Sequence, residues 1–94
     1  MNFFQKLDGE ILQEVGEGVR SWRKQRGLSQ TQLAQNIGVG RSTIVNIEDG
    51  KGINLSHFIK ILKHFGKEDK FLELFQVVDI SPKKQFFNSK RRSS

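Results

Sequence analysis

Four residues between positions 41 and 46 carry side chains that could bond to the edges of nucleic-acid bases. Arg41 has a guanidinium that can donate two hydrogen bonds to guanine, and Asn46 can make a matching pair of bonds to adenine. Ser42 can donate or accept, and Val45 offers a methyl group that suits the methyl of thymine. The same residues would serve equally well as the solvated face of an ordinary helix. Their role therefore depends on whether their side chains face only solvent or a groove of a nucleic acid.

The surrounding sequence places these residues on the second of two short helices joined by a tight turn. Ser29 followed by Gln32 predicts a capping box, so a helix begins at Gln30 and stops at Gly38. Two residues separate that glycine from the next helical pattern, residues 41–49. Helices connected in this way cross steeply, as in a helix-turn-helix.

Apolar residues at intervals of three and four predict three more helices. The first covers about residues 9–26, the fourth is capped by Asn54 and ends at Gly66, and the fifth carries the apolar stripe Phe71, Leu74, Phe75 and Val78. The expected core consists of Trp22, Leu33, Ile37, Ile44, Ile47, Phe58 and Leu62. Gly16 and Gly18 should weaken the first helix by about 1 kcal/mol each. The sequence therefore predicts an all-α fold with five helices.

The net charge of +6 is concentrated at the carboxyl end. Residues 81–94, SPKKQFFNSKRRSS, hold five of the 16 basic residues and none of the 10 acidic ones. A basic arm on a nearly neutral body is typical of a nucleic-acid binder that adds phosphate contacts, although a solubilising, disordered end has the same composition. We therefore divide the chain into a domain, residues 1–80, and a basic tail, residues 81–94.

Several classes of protein are disfavoured by composition. The chain has no cysteine, and His57 and His64 lack ligand partners at metal-site spacing, so we expect neither metal nor cofactor. No apolar run approaches the ~20 residues that span a bilayer, and no secretion signal is evident, so we expect a soluble cytoplasmic protein without a membrane partner. No set of residues suited to catalysis is present, so we do not expect an enzyme.

Residues 22–66, WRKQRGLSQTQLAQNIGVGRSTIVNIEDGKGINLSHFIKILKHFG, resemble the Cro/C1-type (Xre) helix-turn-helix family, whose fold is λ-repressor-like. The resemblance covers roughly residues 15–66. It depends on the order and spacing of R-x-x-x-G-L-S-Q, Leu33-Ala34, Gly38, R-S-T-I and I-E-x-G-K. The long first helix, the NLSHFIKILKHFG segment and the basic tail are also similar to HipB-type antitoxin repressors, but no short dimerising strand is obvious.

The resemblance implies that the third helix enters the major groove of DNA by its N-terminal end. Base contacts are then implied for Arg41, Ser42, Val45 and Asn46, and phosphate contacts for Gln30, Thr43 and Lys51. The resemblance further implies a structural ion pair between Arg23 and Glu48, which would tie the first helix to the third.

The expected function is that of a sequence-specific repressor that binds an inverted-repeat operator as a homodimer and regulates its own operon. The stripe Phe71, Leu74, Phe75 and Val78 exceeds what so small a domain can bury, so we expect it to form the dimer interface. A second hypothesis is an antitoxin whose main role is to bind a partner toxin while it also represses the operon. The same stripe and Phe86-Phe87 favour that hypothesis.

Overall fold

The structure is a computed structural model that describes residues 6–76. Its elements are α1 (Asp8–Gln25), α2 (Gln30–Ile37), α3 (Arg41–Glu48), α4 (Leu55–His64) and α5 (Glu68–Glu73). Residues 6–76 contain no strand, and the predicted all-α fold with five helices is confirmed. α3 packs against both α1 and α2, while α4 packs against α2 and α5. None of the described helices has the length and apolar character needed to cross a membrane.

The start of α2 is fixed by the predicted capping box. The Ser29 hydroxyl accepts a hydrogen bond from the backbone N–H of Gln32 at 3.0 Å, and the Gln32 side chain accepts one from the Ser29 N–H at 2.8 Å. These bonds satisfy two N–H groups that have no partner within the helix. α4 begins in a related way, because the Asn54 side chain accepts a bond from the His57 N–H at 2.8 Å.

The turn between α2 and α3 depends on Gly38. This residue has φ +77°, a left-handed conformation that residues with a Cβ rarely adopt. It allows the N–H of Val39 to reach back to the carbonyl of Ala34 at 3.0 Å, which closes the end of α2. The chain then enters α3 after Gly40, so the two helices of the motif are held close together.

The core lies where α1, α2, α3 and α4 meet. Its buried apolar side chains are Val19, Leu33, Ala34, Ile44, Ile47, Ile61, Leu62 and Phe65. The predicted core was partly wrong, because Trp22, Ile37 and Phe58 are only half-buried. Trp22 and Ile37 pack against the margin of the core. Helical spacing identifies the apolar side of a helix, but that side is more than 100° wide and its centre and edges look alike in sequence.

Gly16 allows α1 and α3 to approach each other closely. A Cβ at this position would lie 2.3 Å from the carbonyl oxygen of Ile47 and 2.8 Å from that of Glu48. From the sequence, Gly16 is expected only to weaken the helix. The structure shows that its lack of a side chain lets the backbone of α1 pack against the end of α3.

The predicted apolar stripe of the fifth helix is not carried by one helix. α5 ends at Glu73, so Leu74 and Phe75 lie in the turn that follows, and Val78 falls outside the described residues. Phe71 alone lies within α5, where its ring meets that of Phe58 edge-on at 5.5 Å. The spacing of three and four was compatible with a longer helix, but it did not reveal where the helix ends.

Candidate nucleic-acid interface

The two sides of α3 are sharply different. Ile44 and Ile47 are buried in the core, with 0% and 3% of their surfaces exposed. Arg41, Ser42 and Asn46 are exposed on the other side. The polar side of α3 therefore faces solvent, where a large ligand can reach it.

Two further residues of α3, Thr43 and Val45, lie between these sides and are half-buried. Val45 can contact a ligand only through the exposed part of its side chain. Thr43 lies in the first turn, where its N–H bonds to the carbonyl of Gly40 at 3.1 Å. Because Gly40 has no side chain to cap the helix, the N-terminal end of α3 remains suited to a negatively charged group.

Arg23 and Glu48 form a buried ion pair that joins α1 to the end of α3. The guanidinium of Arg23 donates to both oxygens of the Glu48 carboxylate, at 2.7 Å from Nε and 3.0 Å from Nη2. Its Nη1 donates to the carbonyl of Leu28 at 2.8 Å, in the loop before α2. The Arg23 side chain thus connects α1, the loop before α2 and the end of α3, and it holds α3 in place.

The surroundings of Glu48 act on its pKa in opposite directions. Burial raises the pKa, but hydrogen bonds from Arg23 and Gln30, together with the charges of Arg23 and Arg20, more than offset that effect. The pKa of Glu48 is consequently below its usual value, and the carboxylate stays ionised. The bond to Glu48 also raises the pKa of Arg23.

Gln30 connects the buried ion pair to the exposed side of α3. Its side-chain amide donates to the Glu48 carboxylate at 3.1 Å, and its side-chain oxygen accepts a bond from Arg41 Nη2 at 3.4 Å. An amide nitrogen carries two hydrogens, so one donor of Gln30 remains for a further acceptor. The resemblance assigned Gln30 to phosphate alone, whereas the structure shows that it also contacts Glu48 and Arg41.

Arg20 is a neighbour of this network that the sequence analysis missed. Its Nε lies 3.4 Å from the Glu48 carboxylate, and nearly half of its side chain is exposed. Arg20 precedes Arg23 by three residues, so both side chains lie on one face of α1. That spacing was the available signal for a second cation at Glu48.

The remaining predicted site residues lie at separate places. Lys51 is exposed in the loop after α3, where its N–H bonds to the carbonyl of Asn46 at 2.9 Å. Leu74 and Phe75, predicted for the dimer interface, follow α5 and are 75% and 68% exposed. The structure thus presents an exposed polar side on α3 and an exposed apolar pair after α5.

Comparison with known proteins agrees with this architecture. Residues 19–72 match a helix-turn-helix family, and this segment is more than half of the chain. The chain is also 38% identical, over 53 residues, to an uncharacterised HTH-type transcriptional regulator of Methanothermobacter thermautotrophicus. That alignment covers 53% of this chain and 74% of the archaeal protein.

The chain therefore belongs to the helix-turn-helix family of the Cro/C1 type. Its class is that of the DNA-binding regulators. Within this class α2 and α3 are the two helices of the motif, and α3 occupies the position of the helix that reads DNA.

Proposed function

We propose that this protein is a sequence-specific transcriptional repressor that binds an inverted-repeat operator as a homodimer and regulates its own operon. The observation that carries the proposal is the exposed polar side of α3, held in place by the buried residues Ile44 and Ile47. The helix-turn-helix family and the similarity to a transcriptional regulator support it. Residues 1–80 form the DNA-binding domain in this proposal, and residues 81–94 form its basic tail.

Base recognition is assigned to the exposed residues of α3. Arg41 suits guanine and Asn46 suits adenine, because each can form two hydrogen bonds to one base edge in the major groove. Ser42 and the exposed part of Val45 lie on the same helix and add a hydrogen bond and an apolar contact. These four residues define the base-reading surface of the proposed complex.

Phosphate contacts are assigned to residues on either side of the base-reading surface. Gln30 begins α2 and keeps one amide donor free beyond its bond to Glu48, so it can bond to a phosphate while it still contacts Arg41. Thr43 in the first turn of α3 and the exposed Lys51 after that helix provide the other two contacts. Such contacts fix the position of the protein on DNA without reading sequence.

The test begins with selection of preferred sites from random duplex DNA, followed by binding measurements with Arg41→Ala and Asn46→Ala. Each variant should weaken binding to the preferred site by about 1 to 3 kcal/mol and lose preference at one base pair. Gln35→Ala, which removes an exposed side chain from α2, is the matched control and should bind as wild type does.

Lys51→Ala separates base reading from phosphate binding in the same assay. It should weaken binding to all sequences alike and reduce the slope of log K against log salt by about 0.9. Equal weakening across all sequences in Arg41→Ala and Asn46→Ala would contradict the assignment of these two residues to the bases.

A second function, that of an antitoxin that binds a toxin, is favoured by the exposed apolar residues after α5. Leu74 and Phe75 present more apolar surface than a monomeric DNA-binding domain requires. Co-expression with the product of the adjacent gene, followed by co-purification, tests this function. A complex that forms with the wild type but not with Phe75→Glu would support an antitoxin, whereas no complex in either case would leave repression as the only proposed role.

A further inference from the structure

An apolar groove lies between α1 and α4. It has a volume of about 300 Å³ and is lined mainly by Ile11, Val15, Gly18, Trp22 and Phe58. Ile11 is about half exposed. Gly18 lines the groove, and a Cβ added there would meet no atom within 4 Å, so its missing side chain leaves the groove wider. The lining is almost wholly apolar, so the groove suits an aromatic or aliphatic side chain better than water.

One long edge of the groove is acidic. Glu14 lines the groove directly, and Glu10 and Glu17 precede and follow it at intervals of four and three residues along α1. All three side chains are exposed. A cation already contacts this edge, since Lys6 forms an ion pair with Glu14. A segment that combines apolar side chains with positive charges would therefore complement both the groove and its edge.

We propose that residues 83–92 of this chain, KKQFFNSKRR, dock in the groove when no DNA is bound. Phe86 and Phe87 provide the apolar side chains. The five basic residues around them are opposite in charge to the three carboxylates of α1. The segment contains no acidic residue that the edge would repel. This docking does not depend on the proposed function, because it concerns the free protein.

The position of α5 brings the chain to the groove. The ring of Phe58, which lines the groove, is 5.5 Å from that of Phe71, and the ring of Phe71 is 5.4 Å from that of Phe75. Phe86 follows the last described residue, Gln76, by ten positions, a length of chain that can extend up to about 33 Å. The aromatic pair can therefore reach the groove from the end of α5.

Because residues 83–92 belong to the same chain as the groove, a weak intrinsic affinity is enough to keep the groove occupied. A segment tethered to its site through a few residues of the same chain has an effective concentration on the order of millimolar there. An intrinsic dissociation constant of about that size would already leave the groove substantially occupied. DNA phosphates compete for the same basic side chains, so docking would hold the tail on the domain until DNA draws it away.

Trp22 is the only tryptophan of the chain and lines the groove, so its fluorescence reports directly on occupancy. We expect Phe86→Ser/Phe87→Ser in the full chain to shift Trp22 emission to longer wavelength and to increase quenching by acrylamide. The matched control is Phe3→Ser/Phe4→Ser, which removes the other Phe-Phe pair and should leave both properties unchanged. Circular dichroism verifies that both variants keep their helices.

A synthetic peptide of residues 83–92 provides a second measurement on the folded Phe86→Ser/Phe87→Ser protein. The peptide should restore the wild-type fluorescence at about millimolar concentration or below. The same peptide with serine at both aromatic positions should not, and Glu14→Gln/Glu17→Gln should weaken the effect. Wild-type fluorescence that depends on protein concentration would indicate docking onto a second copy of the chain rather than onto the same one.

Two results would overturn the proposal. If Phe86→Ser/Phe87→Ser leaves Trp22 quenching unchanged and the peptide has no effect, the tail does not occupy the groove. If only Phe3→Ser/Phe4→Ser exposes Trp22, the N-terminal pair occupies the groove instead. Neither result bears on DNA binding, which is measured separately with the Arg41 and Asn46 variants.

Discussion

At the scale of single residues, Glu48 brings together the side chains of Arg23, Gln30 and Arg20 within residues 6–76. Its carboxylate is fully buried and accepts hydrogen bonds from Arg23 and Gln30, while Arg20 lies within ion-pair distance. Through Gln30 it is connected to Arg41 on the exposed side of α3. A change at Glu48 should therefore alter stability first and DNA recognition second.

We expect Glu48→Ala to lower the free energy of unfolding by about 3 kcal/mol, because Arg23 would remain buried without its charge partner. Thermal and urea unfolding measure the loss. Glu17→Ala, which removes an exposed carboxylate from α1, is the control and should change stability little. A Glu48→Ala protein that unfolds like wild type but fails to bind DNA would contradict the structural role of the ion pair.

The lowered pKa of Glu48 predicts how stability depends on pH. A carboxyl whose pKa is lower in the folded than in the unfolded protein contributes stability that is present above its unfolded value, near 4.5, and is lost as pH falls through the folded value. The difference in unfolding free energy between wild type and Glu48→Gln should thus be constant near neutral pH and shrink below about 4.5. A difference that does not change across this range would contradict the assignment.

At the scale of elements, the contact between α1 and α3 determines where the proposed base-reading surface lies. The contact is made at Gly16, where the two backbones are too close to admit a side chain. Farther along α1, Arg23 reaches the same end of α3 through its bonds to Glu48. A displacement of α1 would therefore move α3 relative to α2.

Two glycine substitutions in α1 test this contact. Gly16→Ala should destabilise the protein by about 1 to 3 kcal/mol, because its Cβ would overlap the carbonyl oxygens of Ile47 and Glu48. Gly18→Ala meets no atom within 4 Å and should stabilise α1 by up to about 1 kcal/mol. Thermal unfolding of both variants gives the comparison, and equal effects of the two substitutions would show that α1 and α3 are not in close contact at Gly16.

At the scale of the whole molecule, the exposed apolar residues after α5 are the proposed dimer interface. Leu74 and Phe75 are largely exposed, while Phe71 is half-buried against Phe58. In the proposed dimer, a two-fold axis through this region pairs the same residues from both copies, and an inverted-repeat operator requires both copies of α3 to face one side of the duplex. Val78, the fourth predicted member of the interface, lies outside the described residues.

We expect the free protein to sediment as a dimer at micromolar concentration and Phe75→Glu to sediment as a monomer, because the new charges would be buried against each other. Leu55→Glu places the same charge at a similarly exposed apolar residue of α4 and is the control. Footprinting should show two half-sites with centres about 34 Å apart. A monomeric wild type would contradict the homodimer, and a dimer that survives Phe75→Glu would place the interface elsewhere.

The local features of this protein can be predicted from its sequence. Ser29 and Gln32 predicted the start of α2, and Gly38 its end, because capping and left-handed turns depend on residues that are adjacent in the chain. The spacing of Ile44 and Ile47 predicted which side of α3 is buried, since helical periodicity is also local. These features were sufficient to predict five helices and the helix-turn-helix.

Contacts between distant parts of the chain form only when the helices pack together, and those of Gly16 and Gln30 could not be predicted from the sequence. The carbonyl oxygens of α3 that lie against Gly16 come from residues more than 30 positions away in the chain. The same is true in kind of Gln30, whose partners Glu48 and Arg41 lie on another helix. Neither contact follows from spacing along one helix. The orientation of each helix determines which side chains meet and where an apolar groove remains. That orientation is set by the close packing of all the helices together, so it cannot be predicted from one helix alone.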